Sequence, residues 1–189
     1  MISIGLDIAL RNSAIAIEVP NGVDYIVLNN TAKILKLENE PNIYTINTKN
    51  KYYFEYLDEL KNILDRYDFD IMMFEGYSFS SHSNSSIQTH EFTGAIKYIY
   101  RDKIQLIEPP TIIKKLFTGK GNAGKASMFN NSDINFRKWI YMLCEKYGLY
   151  KNIMVDGEDK IISSKGISDI IDAHAILELS KKGLLWKLK

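Results

Sequence analysis

Four carboxylates stand where solubility alone is a poor reason for a charge. Asp7 closes Ile2-Ser3-Ile4-Gly5-Leu6-Asp7, in which Ile2, Ile4 and Leu6 share one face while Ser3, Gly5 and Asp7 share the other. Glu75 ends the apolar run Ile71-Met72-Met73-Phe74 and is followed at once by Gly76. Asp169 and Asp172 are three residues apart in a helical pattern and so share a helix face. A charge in an apolar strand is costly unless it is paired or ligates a metal. Acids from separate elements that meet at one point need cations, and oxygen ligands without cysteine or paired histidine favour Mg²⁺ or Mn²⁺ over Zn²⁺. Two such ions roughly 3.5–4 Å apart can activate a water and stabilise the leaving oxygen of a phosphodiester. Each acid alone has a plainer explanation: Asp7 as a surface residue beside a turn, Asp169 and Asp172 as a solvated face or a favourable helix N-terminal charge. Their combination is what points to a site.

The elements that must position these acids can be read from periodicity. Met1–Ala9 alternates as a strand, Leu10-Arg11-Asn12-Ser13 is a turn, and Ala14–Val19 and Asp24–Leu28 are two further strands. Residues 31–48 alternate β-branched and aromatic types around Pro41, which predicts an added hairpin or extension. Tyr52–Arg66 has helical spacing, and Ile71–Phe74 reads as a strand covered on both faces. After the serine-rich loop Ser78–Ser86 come a helix over Ile87–Tyr100, a strand over Ile104–Ile107 and a helix opened by Pro109-Pro110-Thr111. Gly119–Gly124 is a loop, Phe136–Tyr147 an apolar helix, and the last helix runs from Ser168, as N-cap, to Lys182, with Gly183 as its stop. Adjacent strands joined by tight turns are antiparallel, and strands reached through helices are parallel. The prediction is a single α/β domain over residues 1–189, with a central mixed five-stranded sheet of RNase H-like order flanked by helices. Asp7 and Glu75 then lie near the C-terminal ends of adjacent parallel strands, where open α/β sheets collect ligands.

These pieces resemble a known family in order along the chain. Ile4-Gly5-Leu6-Asp7 with its following turn is similar to the opening of RuvC-like Holliday-junction resolvases, and Phe74-Glu75-Gly76 to their second acidic strand end. Lys114-Lys115-Leu116-Phe117-Thr118-Gly119-Lys120-Gly121-Asn122-Ala123-Gly124-Lys125 resembles their basic loop, and Asp169-Ile170-Ile171-Asp172-Ala173 their closing acidic pair. The resemblance covers most of the chain. It implies catalytic, metal-holding roles for Asp7, Glu75, Asp169 and Asp172, with two Mg²⁺ per site and Mn²⁺ as a substitute. For Lys120 and Lys125 it implies phosphate or transition-state contacts. It also implies a homodimer making paired nicks across a four-way DNA junction. Ala14 departs from the family, which often has glycine there, and residues 30–50 and 126–165 are longer than a compact member requires; phage or viral resolvases are the nearer type.

Composition fits this reading without proving it. Residues 1–95 carry seven Lys/Arg against thirteen Asp/Glu, whereas 96–189 carry seventeen against ten, compatible with a basic DNA-binding surface beside an acidic site. Lys114, Lys115, Lys120 and Lys125 are the candidate phosphate contacts, and Tyr77 and Phe79, next to Glu75, are candidates for stacking on unpaired bases. Cys144 reads as a small core residue in a reducing cytoplasm, bacterial or phage-infected, and no apolar run is long enough for a membrane span. His82, His90 and His174 lack metal-ligand spacing, so a structural role is expected for His174. Gly119–Lys125 satisfies both G-x-G-x-x-G and G-x-x-x-x-G-K, but each motif needs a strand before the loop, and a helix is predicted there. The alternatives to a nuclease are an ATP-using protein or a non-catalytic DNA-binding protein on the same scaffold. Acids facing DNA repel it unless a cation intervenes, which counts against the second.

Overall fold

The computed structural model describes residues 1–10, 12–76, 84–149, 153–155, 158–160 and 165–187. Tyr77 and Phe79 lie outside them. The chain begins with β1 (Ser3–Asp7), β2 (Ser13–Val19) and β3 (Gly22–Asn29), an antiparallel meander with Asp7 opposite Ala14 and Ile15 opposite Ile26. A short helix α1 (Ala32–Leu35) and a 3₁₀ turn (Lys36–Asn39) lead to β4 (Ile43–Asn47). Helix α2 (Tyr53–Leu64), β5 (Ile71–Glu75), α3 (Asn84–Ile99) and β6 (Ile104–Glu108) follow. Then come α4 (Pro110–Thr118), α5 (Lys125–Asn130), α6 (Ile134–Tyr147), a small antiparallel pair β7 (Ile153–Val155) and β8 (Glu158–Lys160), and α7 (Lys165–Lys187).

The main sheet is mixed and has six strands, in the order β4-β3-β2-β1-β5-β6, not the five expected from the sequence. The sixth is β4, which pairs parallel with β3 along Tyr25–Asn29. The extension over residues 31–48 is therefore a helical crossover to an added edge strand and not a hairpin: a parallel neighbour cannot be reached by a tight turn. Two more expectations change. Ser168 lies inside α7, not at its N-cap, and α7 continues through Gly183 to Lys187. A single glycine in a helix costs only about 1 kcal/mol relative to alanine, too little to end one that is held by packing.

The sheet buries both faces. Ile4, Leu6, Ile15, Ile17, Met72 and Phe74 point to the side covered by α2 and α3, where Tyr56, Leu60, Phe92 and Ile96 complete a core. Phe92 and Ile96 of α3 are both fully buried against their own sheet. Gly5, Asp7, Met73 and Glu75 alternate to the opposite side, which α7 crosses with Ile170, Ala173 and Leu177 fully buried. Cys144 is fully buried in this second core, where desolvation pushes its thiol up to about 11. His174 is buried too: its ring stacks on Phe136 at 3.8 Å between centroids, and its Nδ1 lies 2.8 Å from the Tyr25 hydroxyl. Burial pushes its pKa down, so it packs as a neutral ring, in keeping with a structural role.

Helix α4 immediately precedes the glycine loop and ends on Gly119, whose φ of 82° closes it in the left-handed conformation. A strand before the loop, which either nucleotide-binding motif would need, is therefore missing. Among the described residues, no helix is long and apolar enough to cross a membrane.

Candidate active site

β1 and β5 are adjacent and parallel, with Leu6 level with Phe74, so Asp7 and Glu75 emerge side by side at the C-terminal end of the pair. Both alternate to the side covered by α7. What lets that helix come close is Gly5. A Cβ there would sit 2.6 Å from the Ala173 carbonyl oxygen and 2.8 Å from the Leu177 Cα, so backbone packs on backbone. Asp172 and Asp169 belong to the same helix, about one and two turns nearer its start than Leu177, and are thereby carried over the strand ends. Ala14, opposite Asp7 on β2, is fully buried and adds only a methyl group to this crowded corner.

The electrostatics mark the corner as strained. Burial pushes the Asp7 pKa well above the ordinary carboxylate range, and the nearby charges of Glu75 and Asp169 push it further. The Asp7 and Glu75 carboxyls lie close enough that the ionisation of one opposes that of the other. Glu75 is raised as well, again by burial, while Lys125 and Lys114 pull it back. Lys125, the first residue of α5, makes an ion pair with Asp172. Glu75, Lys114 and Asp172 line one small cleft together with Ile113, Met128 and Ile176.

The structure thus brings Asp7, Glu75, Asp169, Asp172, Lys125 and Lys114 together. Lys115 and Lys120 are exposed on α4 and on the glycine loop, outside this cluster. Lys114, expected as a phosphate contact, lies beside Glu75. Sequence spacing could not separate it from Lys115, because the rotation of α4 about its axis decides which lysine turns inward. The donor set suits a hard divalent cation: its acidic groups offer only oxygen, and His174 is engaged with Tyr25 and Phe136. As the side chains stand, no group of three or more Asp, Glu, His or Cys among the described residues closes to ion-holding distance.

No protein-family description and no curated protein matches the sequence. Solved structures do match the fold. RuvC of Thermus thermophilus superposes with a TM-score of 0.51 at 11% identity, covering 97% of both chains. The same protein in complex with a Holliday junction substrate gives 0.53 at 8% identity, over 98% of this chain and 97% of that one. The yeast mitochondrial Holliday junction resolvase gives 0.51 at 14% identity, over 93% of this chain and 75% of the other. The chain therefore has the RNase H-like fold of these resolvases along nearly its whole length.

Proposed function

We propose that the chain is a divalent-metal-dependent endodeoxyribonuclease that resolves four-way or other branched DNA by paired symmetric nicks. The observation that carries this reading is the Asp7–Glu75 pair, two desolvated carboxyl groups side by side at the ends of neighbouring parallel strands, with Asp169 beside them. Burying like charges together is costly, and a resident cation is the usual reason for it. Asp7, Glu75, Asp169 and Asp172 would hold two Mg²⁺ or Mn²⁺ ions, whose chemistry is to activate a water and to stabilise the leaving oxygen of a phosphodiester. Lys125 and Lys114 add positive charge on the side of the cleft toward the basic loop, and Lys120 extends it to the DNA backbone. A four-way junction is nearly two-fold symmetric, so two copies of the chain would present two such clusters in the relation that paired cuts need.

The direct test is a four-way junction labelled on two opposite strands, incubated with Mg²⁺, Mn²⁺ or EDTA beside three-way, hybrid and linear DNA. Both labelled strands should be cut within one binding event, with either metal and not with EDTA. Millimolar Mn²⁺ should also raise the melting temperature of the DNA-free protein, since an ion bound only by the folded state stabilises it by mass action. Cleavage that survives EDTA, or a melting temperature indifferent to Mn²⁺, refutes the metal site.

The two lysines of the glycine loop should behave differently. Lys125→Ala is expected to lower turnover by about 10²–10³-fold, the usual effect of removing one donor aimed at developing charge. Lys120→Ala should weaken binding to all DNA sequences alike and reduce the salt slope by about one. Single-turnover rates beside a salt titration read both. Equal effects on rate from the two variants would contradict the placement of Lys125 at the acids.

A further inference from the structure

On the other face of the sheet, at the same end of the strands as the acids, lies a second cavity of about 300 Å³. Tyr53, Tyr56 and Gln88 line it from α2 and α3, Asn50 and Lys51 from the turn before α2, and Leu10 from the loop that follows Asp7. The Tyr56 hydroxyl donates to the Leu10 carbonyl at 2.6 Å, tying the wall of the cavity to that loop. At the rim, Tyr52 and Phe54 are 71% and 57% exposed, yet their rings lie parallel, 7° apart in plane and 5.6 Å between centroids. Tyr53 meets Phe54 edge-on at 5.9 Å and then reaches Phe92 at 6.3 Å, so an aromatic series runs from solvent into the core. Asn50 holds a left-handed backbone, φ 58°, at this rim.

We propose that this cavity and the Tyr52–Phe54 platform receive an unpaired nucleobase from branched DNA; the inference rests on the nuclease reading above. Exposed flat rings offer the sequence-tolerant stacking surface that single-stranded nucleic acid uses. Carboxamides such as those of Asn50 and Gln88 can bond to a base edge with both donor and acceptor. A volume near the lower end of small-ligand sites, roughly 300–1,000 Å³, accepts one flipped base and excludes a helix. The nearby charge favours a base over a phosphate: Lys51 is paired with Glu59, and Glu55 accepts from the Tyr52 backbone N–H, so the rim has no cation to spare among these groups. Because Leu10 follows Asp7 by three residues, DNA laid across this end of the strands would meet the acids on one face and the platform on the other.

The test uses the full chain and junctions carrying 2-aminopurine at the branch point, with a matched linear duplex as reference. Tyr52→Ala and Phe54→Ala change exposed side chains, and circular dichroism confirms their fold. Each should weaken junction and single-strand binding by about tenfold, the effect of losing one stacked base. Duplex affinity and turnover at saturating junction should stay unchanged, fluorescence quenching should be lost, and Tyr52→Phe should restore binding. Equal affinity of wild type and both variants for the junction overturns the platform while leaving the nuclease reading intact. So does an equal loss on duplex, or a loss of self-association in sedimentation with DNA affinity unchanged, which would make the rings a protein contact. A wild-type chain that binds no branched DNA sinks both readings.

Discussion

Asp7→Asn is expected to lower turnover by on the order of 10³-fold or more, to leave branched-DNA affinity near wild type, and to raise the melting temperature of the metal-free protein. The first effect follows from losing a charged ligand while its shape is kept. The last has the opposite sign to most core substitutions and comes from the same residue. Asp7 and Glu75 both have raised pKa values in the fold, chiefly through burial. A raised carboxyl contributes stability that is full below its unfolded value, about 4, and is lost as pH rises through the folded value. At neutral pH the metal-free wild type therefore carries a cost that the uncharged amide removes. The variant's advantage of several degrees should shrink as the pH falls toward 4. Melting curves across pH in EDTA, beside cleavage in Mg²⁺, measure both halves. A variant that keeps near-wild-type turnover takes Asp7 out of the site. One that melts well below wild type at neutral pH instead gives Asp7 a structural role.

Gly5→Ala should be among the most damaging one-carbon changes in the chain. The added Cβ meets backbone atoms of Ala173 and Leu177 within 3 Å, and backbone has no alternative rotamer to adopt. Helix α7 has to move off β1, at about 1–3 kcal/mol or more, which for a domain of this size is roughly 2–4 °C of melting temperature per kcal/mol. The movement also carries Asp169 and Asp172 away from Asp7, so cleavage should fall with stability. Gly94→Ala is the control: it sits in α3 with nothing within 4 Å of its missing Cβ, and alanine there should be neutral or stabilising. Differential scanning fluorimetry with single-turnover cleavage compares the two. A Gly5→Ala protein with wild-type melting and rate would show that the close helix–strand contact is dispensable.

What could be read from sequence, and what could not, follows from the range of the forces involved. Alternation placed Asp7 and Gly5 on one face of β1 because side chains in a strand point to opposite faces in turn, and that rule needs no partner. Glu75 was legible because an apolar run that stops on a charge has little reason to stop elsewhere. The sixth strand was not legible, since pairing β4 beside β3 depends on a crossover through α1 and a 3₁₀ turn that local pattern does not encode. The length of α7 was missed because a glycine near a helix end reads as a stop, whereas a single glycine costs a helix only about 1 kcal/mol. The rim was missed for a different reason. Tyr52, Tyr53 and Tyr56 are alike as letters, yet Tyr52 is 71% exposed and Tyr56 1%, and only helix orientation separates them.

The position of α7 in the chain has a consequence for synthesis. Asp7 and Glu75 belong to strands that leave the ribosome early, whereas Asp169 and Asp172 arrive on a helix made after every strand of the main sheet. A nascent chain can pair β1 with β5 long before it owns the second half of its acids. If the finished chain is the nuclease proposed above, the nascent chain would until then be harmless to the DNA around it. It would also be sticky, because Ala14, Ala16, Val27 and Met73 form the bare face that α7 later covers. On the proposed nuclease reading, completing the cover and completing the cutting site would be one event, and a chain that has not finished folding would have no means of cutting.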